Sequence, residues 1–346
     1  MNGYKIKFNG IDRLYDAYSW RLTRRAKAAW KSGQVLQGEY LKQLETEIAK
    51  KYKRNYAIGV GSATDGLYFA MKAVGLNKGS TIMCPVLSYI ATAGAIKRLG
   101  AKIQFVDTDK MGLIGDLKYK EKPDAVLYVN LFGNCIDYDR VKEYCVDNNI
   151  PLIEDAAQSQ GATYKRIPSG AMGDISVFSF DPMKNMPSFG GGGMVLTDNE
   201  EHYKQVLSLR KNGMYNSVLA DDHANQLLLF LNKFKKLQKM RKSIYERYKE
   251  NLPNAHFLVD ENGKPSYHKL VLLTEKRNDL QKYLEEAGVE TKIHYKQILN
   301  EQYVGLYTYP YADSICKNAI SLPIYPYLEL DEVDYICERI NKFNVW

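Results

Sequence analysis

Lys184 stands in FSFDPMKNMPSFGGGGMVLTD, residues 178–198, just ahead of four consecutive glycines. A lysine that acts as a nucleophile needs an apolar or cation-rich site, so that part of it is unprotonated. It also needs space for a carbonyl compound to reach its amine. Glycines supply such space because they carry no side chain. The same run could instead be a phosphate-binding loop. A dinucleotide fingerprint requires a helix after its glycines, however, and MVLTD reads as a strand, so space for Lys184 is the stronger reading.

Two other stretches could do chemistry. Ile153-Glu-Asp-Ala-Ala-Gln-Ser159 ends an apolar run with two acids and then small residues that let a flat group lie close. Such a position points Asp155 or Glu154 into a crevice, although acids also end strands with no function. Upstream, residues 59–67 (GVGSATDGL) run from a strand through a turn into an amphipathic helix beginning near Thr64. The free N–H groups at that helix start, with the Ser62 and Thr64 hydroxyls, would suit a phosphate. An ordinary Ser/Thr N-cap accounts for the same residues equally well. With no GK[ST] following, it is not a Walker loop. Combined, an anion site at a helix start, a later acid and a lysine beyond it meet the needs of a pyridoxal phosphate enzyme. The helix start holds phosphate, the acid keeps the pyridine nitrogen protonated, and the lysine forms the Schiff base.

These stations have to be positioned by a scaffold. From residue 56 the chain alternates β-rich runs with helical patterns: strands are expected at 56–61, 81–85, 103–107, 125–132, 151–155, 174–180 and 193–198. Helices are expected at 64–75, 88–100 and 137–149. This order implies an α/β large domain whose mostly parallel seven-stranded sheet lies between helices, with ligands at the carboxyl ends of strands. Residues 232–249 read as an amphipathic helix with a basic, wet face and Arg241 as the one polar interruption of its apolar side. Beyond it come a strand at 268–274 and helices at 278–287 and 331–341, a smaller C-terminal α+β domain. The division expected is 1–245, with an N-terminal helix and arm, and 246–346.

Bulk composition narrows the function. The 346 residues can bury a large core. The net charge of +8 could serve nucleic acid, a membrane surface or a small anion, but no nucleic-acid module is recognisable. No run is apolar enough to span a membrane, and the N-terminus lacks the features of a secretory signal, so a cytoplasmic location is the default. The five cysteines are widely spaced, without a CxxC pair or His/Cys cluster, and read as buried small hydrophobes rather than a disulfide framework or metal site.

An ordered set of segments resembles the DegT/DnrJ/StrS type of nucleotide-sugar aminotransferase, of aspartate-aminotransferase-like fold type I. VGSATDGLYFAMKAVGL is similar to that family's SGT-containing helix start, and CPVLSYIATAGAI to its PSFTFVATA segment. FVDTD and VNLFGNCID follow at the expected intervals. IEDAAQSQGATYKRIPSGAMGDISVFSFDPMKN resembles its most diagnostic block, and SLPIYPYLELDEVDYICERI its C-terminal signature. The resemblance spans nearly the whole chain. It implies that Lys184 holds the cofactor and later shuttles a proton, and that Asp155 pairs with the ring nitrogen. Gln158 would bond the ring hydroxyl and Tyr89 would stack on the ring. Ala63, Thr64 and Ser179 would bind the phosphate, which Asn216 would reach from a partner subunit, making a homodimer with a shared site.

The activity implied is transfer of an amino group from L-glutamate to a keto carbon, C4 or C3, of a nucleotide-linked 6-deoxy sugar, with pyridoxal and pyridoxamine phosphate alternating. A dTDP-sugar and a surface glycan such as O-antigen are the analogous setting. Sugar dehydration is opposed by Lys184, since dehydratases of this kind carry histidine there; a non-catalytic regulatory protein is the other alternative. Departures from the pattern are Ala63 for the usual glycine, Gly191 for an acid, Asn130 for histidine, Leu299-Asn300 in place of a second histidine, and no arginine after Asn216. They are expected to lie near the sugar side.

Overall fold

The structure, a computed structural model, describes residues 3–117, 121–261, 263–299 and 308–344. Its centre is a seven-stranded sheet. The strands, in chain order, are β1 (Tyr56–Val60), β2 (Thr81–Pro85), β3 (Lys102–Val106), β4 (Ala125–Val129), β5 (Leu152–Asp155), β8 (Ile175–Ser179) and β9 (Gly193–Thr197). A short hairpin, β6 (Thr163–Tyr164) and β7 (Ile167–Pro168), stands apart from them. The spatial order is β1-β9-β8-β5-β4-β2-β3. Strands β8, β5, β4, β2 and β3 pair in parallel, whereas β9 runs antiparallel to both its neighbours. The sheet is therefore mostly parallel, as the alternation of patterns predicts.

Side chains leave the sheet alternately to two cores, as a period of two requires. Val177 and Val195 join the core that holds α3 (Ala63–Ala73), α4 (Ile90–Leu99), α5 (Tyr138–Asp147) and Val206 of α6 (Glu200–Arg210). Phe178, Met194 and Leu196 point into the opposite core with α1 (Ile11–Lys31), α2 (Glu39–Tyr52) and α7 (Asp221–Asn251). With both faces covered, β4, β8 and β9 are buried at every position.

The basic segment is part of α7, which is 31 residues long and starts earlier than its pattern shows. Its first half lies in the second core. Its last turns, with Ile244, Tyr245 and Tyr248, enter a third core beneath a small antiparallel sheet of β10 (Leu270–Leu273) and β11 (Ala319–Leu322). Arg241 is buried: Nη1 donates to the carbonyls of Ile324 (2.6 Å) and Tyr267 (3.3 Å), and burial brings its pKa down to about 9. The helix runs without a break through residue 245. Ile6 belongs to the third core, and its backbone bonds Gly288 and Glu290, so the N-terminal arm packs on the C-terminal part of the chain. The five cysteines are buried and free.

Candidate active site

Lys184 leaves a loop pinned at both ends. Asp181 accepts from the amide of Lys184 (2.9 Å) through its carbonyl and from that of Met183 (2.9 Å) through its carboxylate. The Ser188 amide bonds the Phe180 carbonyl (2.8 Å), and Phe180 bonds Gly192 (2.9 Å). The amine so held opens into a cavity of about 570 Å³ at the carboxyl ends of the strands. Burial lowers the lysine pKa, with the charges of Asp155 and Asp181 opposing the shift. A larger unprotonated fraction follows at a given pH, as a nucleophile requires.

The choice between Glu154 and Asp155 is settled by strand geometry. Neighbours on β5 face opposite sides, and Asp155 lines the cavity. Its Oδ2 accepts from Thr92 Oγ1 (2.9 Å), itself bonded to Ser88 (2.8 Å), and its Oδ1 accepts from the Ala157 amide (3.1 Å). Burial raises its pKa against these bonds and against Lys184. A cation arriving at the carboxylate would pull it back down. Glu154 instead serves the fold. Its two oxygens accept from Asn130 Nδ2 (2.9 Å), Ser169 Oγ (2.8 Å), the Gly170 and Met172 amides (2.9 and 3.1 Å) and Ser176 Oγ (2.7 Å). Asn130 is thereby taken out of the sugar side where its departure from the family pattern was expected to act; its side chain is wholly buried on this network.

Ser62 is a true N-cap of α3, accepting from the Asp65 amide at 3.1 Å. Ala63 and Thr64, the first two residues of the helix, line the cavity, where their amides have no intrahelical partner. The N-cap reading of this stretch therefore holds, and it is compatible with an anion site at the same helix start. The glycines bear on the same place. A Cβ on Gly193 would stand 2.7 Å from the Ala63 nitrogen, so only glycine lets β9 run against the start of α3. At Gly191 a Cβ would meet only the Gly61 carbonyl at 3.4 Å. The glycines thus divide: Gly191 and Gly192 line the cavity together with Lys184, whereas Gly193 is required by the close approach of β9 to the start of α3.

Gln158 and Ser179 line the cavity too. Gln158 accepts from the Phe132 amide (3.1 Å) and donates to the Tyr295 hydroxyl (2.9 Å), which leaves one amide hydrogen unused. Tyr89, just before α4, is 62% exposed at the mouth. Asn216 lies outside: it is exposed, on the surface turn where it bridges to Lys211. Leu299 is buried with its amide on Val86, and Asn300 falls outside the described residues. Sequence reasoning missed Thr92, Lys269, Lys292 and Tyr295, all in the cavity wall. A lysine opening the apolar run HKLVLLT was the one available signal for Lys269.

A lysine on the β8–β9 loop facing an acid at the end of β5, over this strand order, defines the aspartate-aminotransferase-like architecture of fold type I. The chain belongs to the DegT/DnrJ/EryC1/StrS aminotransferase family, which it matches over residues 20–341. GDP-perosamine synthase of Escherichia coli O157:H7 is 30% identical over 334 residues, 88% of this chain and 90% of the relative. The pleiotropic regulatory protein of Geobacillus stearothermophilus is 28% identical over 360 residues, 96% and 97% of the two chains. Among solved structures, S. venezuelae DesV superposes with a TM-score of 0.93 at 26% identity over 98% of each chain. The PLP form of the putative sugar aminotransferase Spr1654 from Streptococcus pneumoniae gives 0.85 at 25% identity, covering 93% of this chain and 95% of its own. No helix among the described residues is long and apolar enough to cross a membrane.

Proposed function

We propose that this chain is a pyridoxal phosphate-dependent aminotransferase that moves an amino group from L-glutamate to a keto carbon of a nucleotide-linked 6-deoxy sugar. The observation that carries the reading is the convergence of the Lys184 amine, the Asp155 carboxylate and the start of α3 on one cavity. The residues present fit the cofactor, because Gly193 leaves open the one place beside the Ala63 amide that a Cβ would fill. When bound, the cofactor supplies an electron sink for the pair left as a proton departs the amino-bearing carbon.

The chain's own residues do the rest. Lys184 would hold the cofactor through its Nζ and, when free, would move a proton at the reacting carbon. Asp155, fixed by Thr92 and Ala157, keeps the ring nitrogen protonated. Gln158 would offer its spare hydrogen to the ring hydroxyl, and Tyr89 would cover the ring. The Ala63 and Thr64 amides and the Ser179 hydroxyl take the phosphate. Asn216, exposed away from its own cavity, serves the cavity of a second copy in a homodimer. C4 of the sugar is the position assigned, in a pathway to a surface glycan within the cytoplasm. The chain divides at 245 into a large cofactor-binding domain with the N-terminal arm and a small C-terminal α+β domain.

L-Glutamate added to the yellow holoprotein should bleach its visible band. Borohydride reduction followed by peptide mapping should then place the cofactor on Lys184. A band unmoved by glutamate under all conditions would refute transamination and favour a regulatory protein, as one relative is named. Mass spectrometry of products from a panel of keto-sugars identifies the acceptor.

A further inference from the structure

Lys269 is a buried basic residue with no carboxylate bonded to its amine among the described residues. It sits immediately before β10 and is 9% exposed. Its amide bonds the Phe132 carbonyl at 3.1 Å, and its Nζ lies 5.1 Å from the centre of the Phe8 ring. No acid among the described residues bonds its ammonium. Burial brings its pKa down to about 7, with the positive charges of Lys184 and Arg241 adding and Asp181 opposing. Holding such a group charged is unfavourable in the free protein, and an arriving anion offsets that.

Its position narrows which anion. Lys269 and Lys184 together line both the main cavity and a small void of about 40 Å³. It therefore stands by the reacting amine. Lys292, the other lysine contributed from this region, is exposed and paired with Glu290 at 2.8 Å, and burial holds the histidines that line the same wall, His268 and His294, below the usual imidazole range. In an amino acid the carboxylate is attached to the carbon that bears the nitrogen. In a nucleotide-linked sugar the first negative charge is a phosphate on the anomeric oxygen, a sugar ring away from C4. No arginine lines the main cavity among the described residues. We infer that Lys269 binds the α-carboxylate of the amino donor and so selects amino acids for the first half of the reaction. The inference rests on the function proposed above and adds to it the residue that recognises the donor.

The test compares wild-type holoenzyme with K269Q, K269R and K269M. Glutarate, a carboxylate without an amine, is titrated calorimetrically. Its affinity should fall about 10- to 100-fold in K269Q, the worth of a bond to a charged group, and be largely kept in K269R. The bleaching rate at low L-glutamate should fall by the same factor, while affinity for a nucleoside diphosphate (dTDP or UDP) stays within about threefold, less than half of one bond to a charged group. K269M should melt no lower than wild type, since it removes a desolvated charge and keeps the stem. Equal glutarate affinity in K269Q and wild type, an equal loss for the nucleoside diphosphate, or a lowered melting point in K269M overturns the inference. Wild type bleached by glutamate together with any of these leaves the aminotransferase reading standing; wild type untouched by glutamate removes that reading first.

Discussion

Replacing Asp155 by asparagine keeps the shape of the side chain and removes its charge. The Oδ1 acceptor for the Ala157 amide survives, and Thr92, bonded on its other side to Ser88, can turn to accept from the new amide. The loss is then electrostatic. A carboxylate at a hydrogen-bond distance of about 3 Å from a protonated ring nitrogen contributes roughly 5 kcal/mol at an effective dielectric of about 20. At about 1.4 kcal/mol per decade that is a slowing of some thousandfold to ten-thousandfold in proton removal. The assay is a stopped-flow single turnover: holo D155N mixed with saturating L-glutamate, following the visible band. Borohydride mapping run alongside must still find the cofactor on Lys184. D155N within tenfold of wild type, with the cofactor so attached, would show that the carboxylate does not maintain the ring charge, and the role assigned to Asp155 would fall.

Glu154 should behave oppositely to its neighbour: E154A strands five donors in the core and should cost on the order of 4 kcal/mol or more in a urea titration, while E154Q costs less. G193A, whose Cβ meets backbone at 2.7 Å, should weaken cofactor binding by at least tenfold in a fluorescence titration and cost about 1–3 kcal/mol of stability, whereas G191A, with its nearest atom at 3.4 Å, should do neither. Cofactor attachment to the apoprotein needs the neutral Lys184 amine, so its rate should rise with pH through a midpoint below that of an ordinary lysine. Because the Asp155 charge favours the ammonium, D155N should move that midpoint lower still, and an upward move would contradict the geometry.

The sheet was legible because its strands are short apolar runs separated by helical periods, and seven such runs became seven strands. The ends of elements were less so: β4 stops at Val129, short of the expected 132, because Leu131 to Gly133 turn in a short 3-10 segment with Phe132 at positive φ. Helices α2 and α6 (Glu200–Arg210) went unread, since the amphipathic pattern of α6 is weak and its first turn resembles a polar loop. At the site, Lys184 could be singled out from its surroundings in the chain. Without the family resemblance Asp155 could not be separated from Glu154, because alternation assigns the two to opposite faces without saying which face is open. Lys269 was hidden for a different reason: a lysine at the start of a strand is ordinarily exposed, and only the packing of Phe8 and the β10 region over it makes it a buried charge.

Helix α7 sets how the cavity can admit its ligands. Its 31 residues extend about 46 Å as a single rod, and sharp bends in helices need a proline, a π-bulge or an inserted group. The sequence DDHANQLLLFLNKFKKLQKMRKSIYERYKEN contains no proline or glycine to soften it. A wide jaw-like swing of the β10–β11 unit away from the large sheet would have to snap or unseat this strut. At the rim no such break is needed: an exposed aromatic ring such as that of Tyr89 changes rotamer on a picosecond-to-nanosecond timescale with this helix intact.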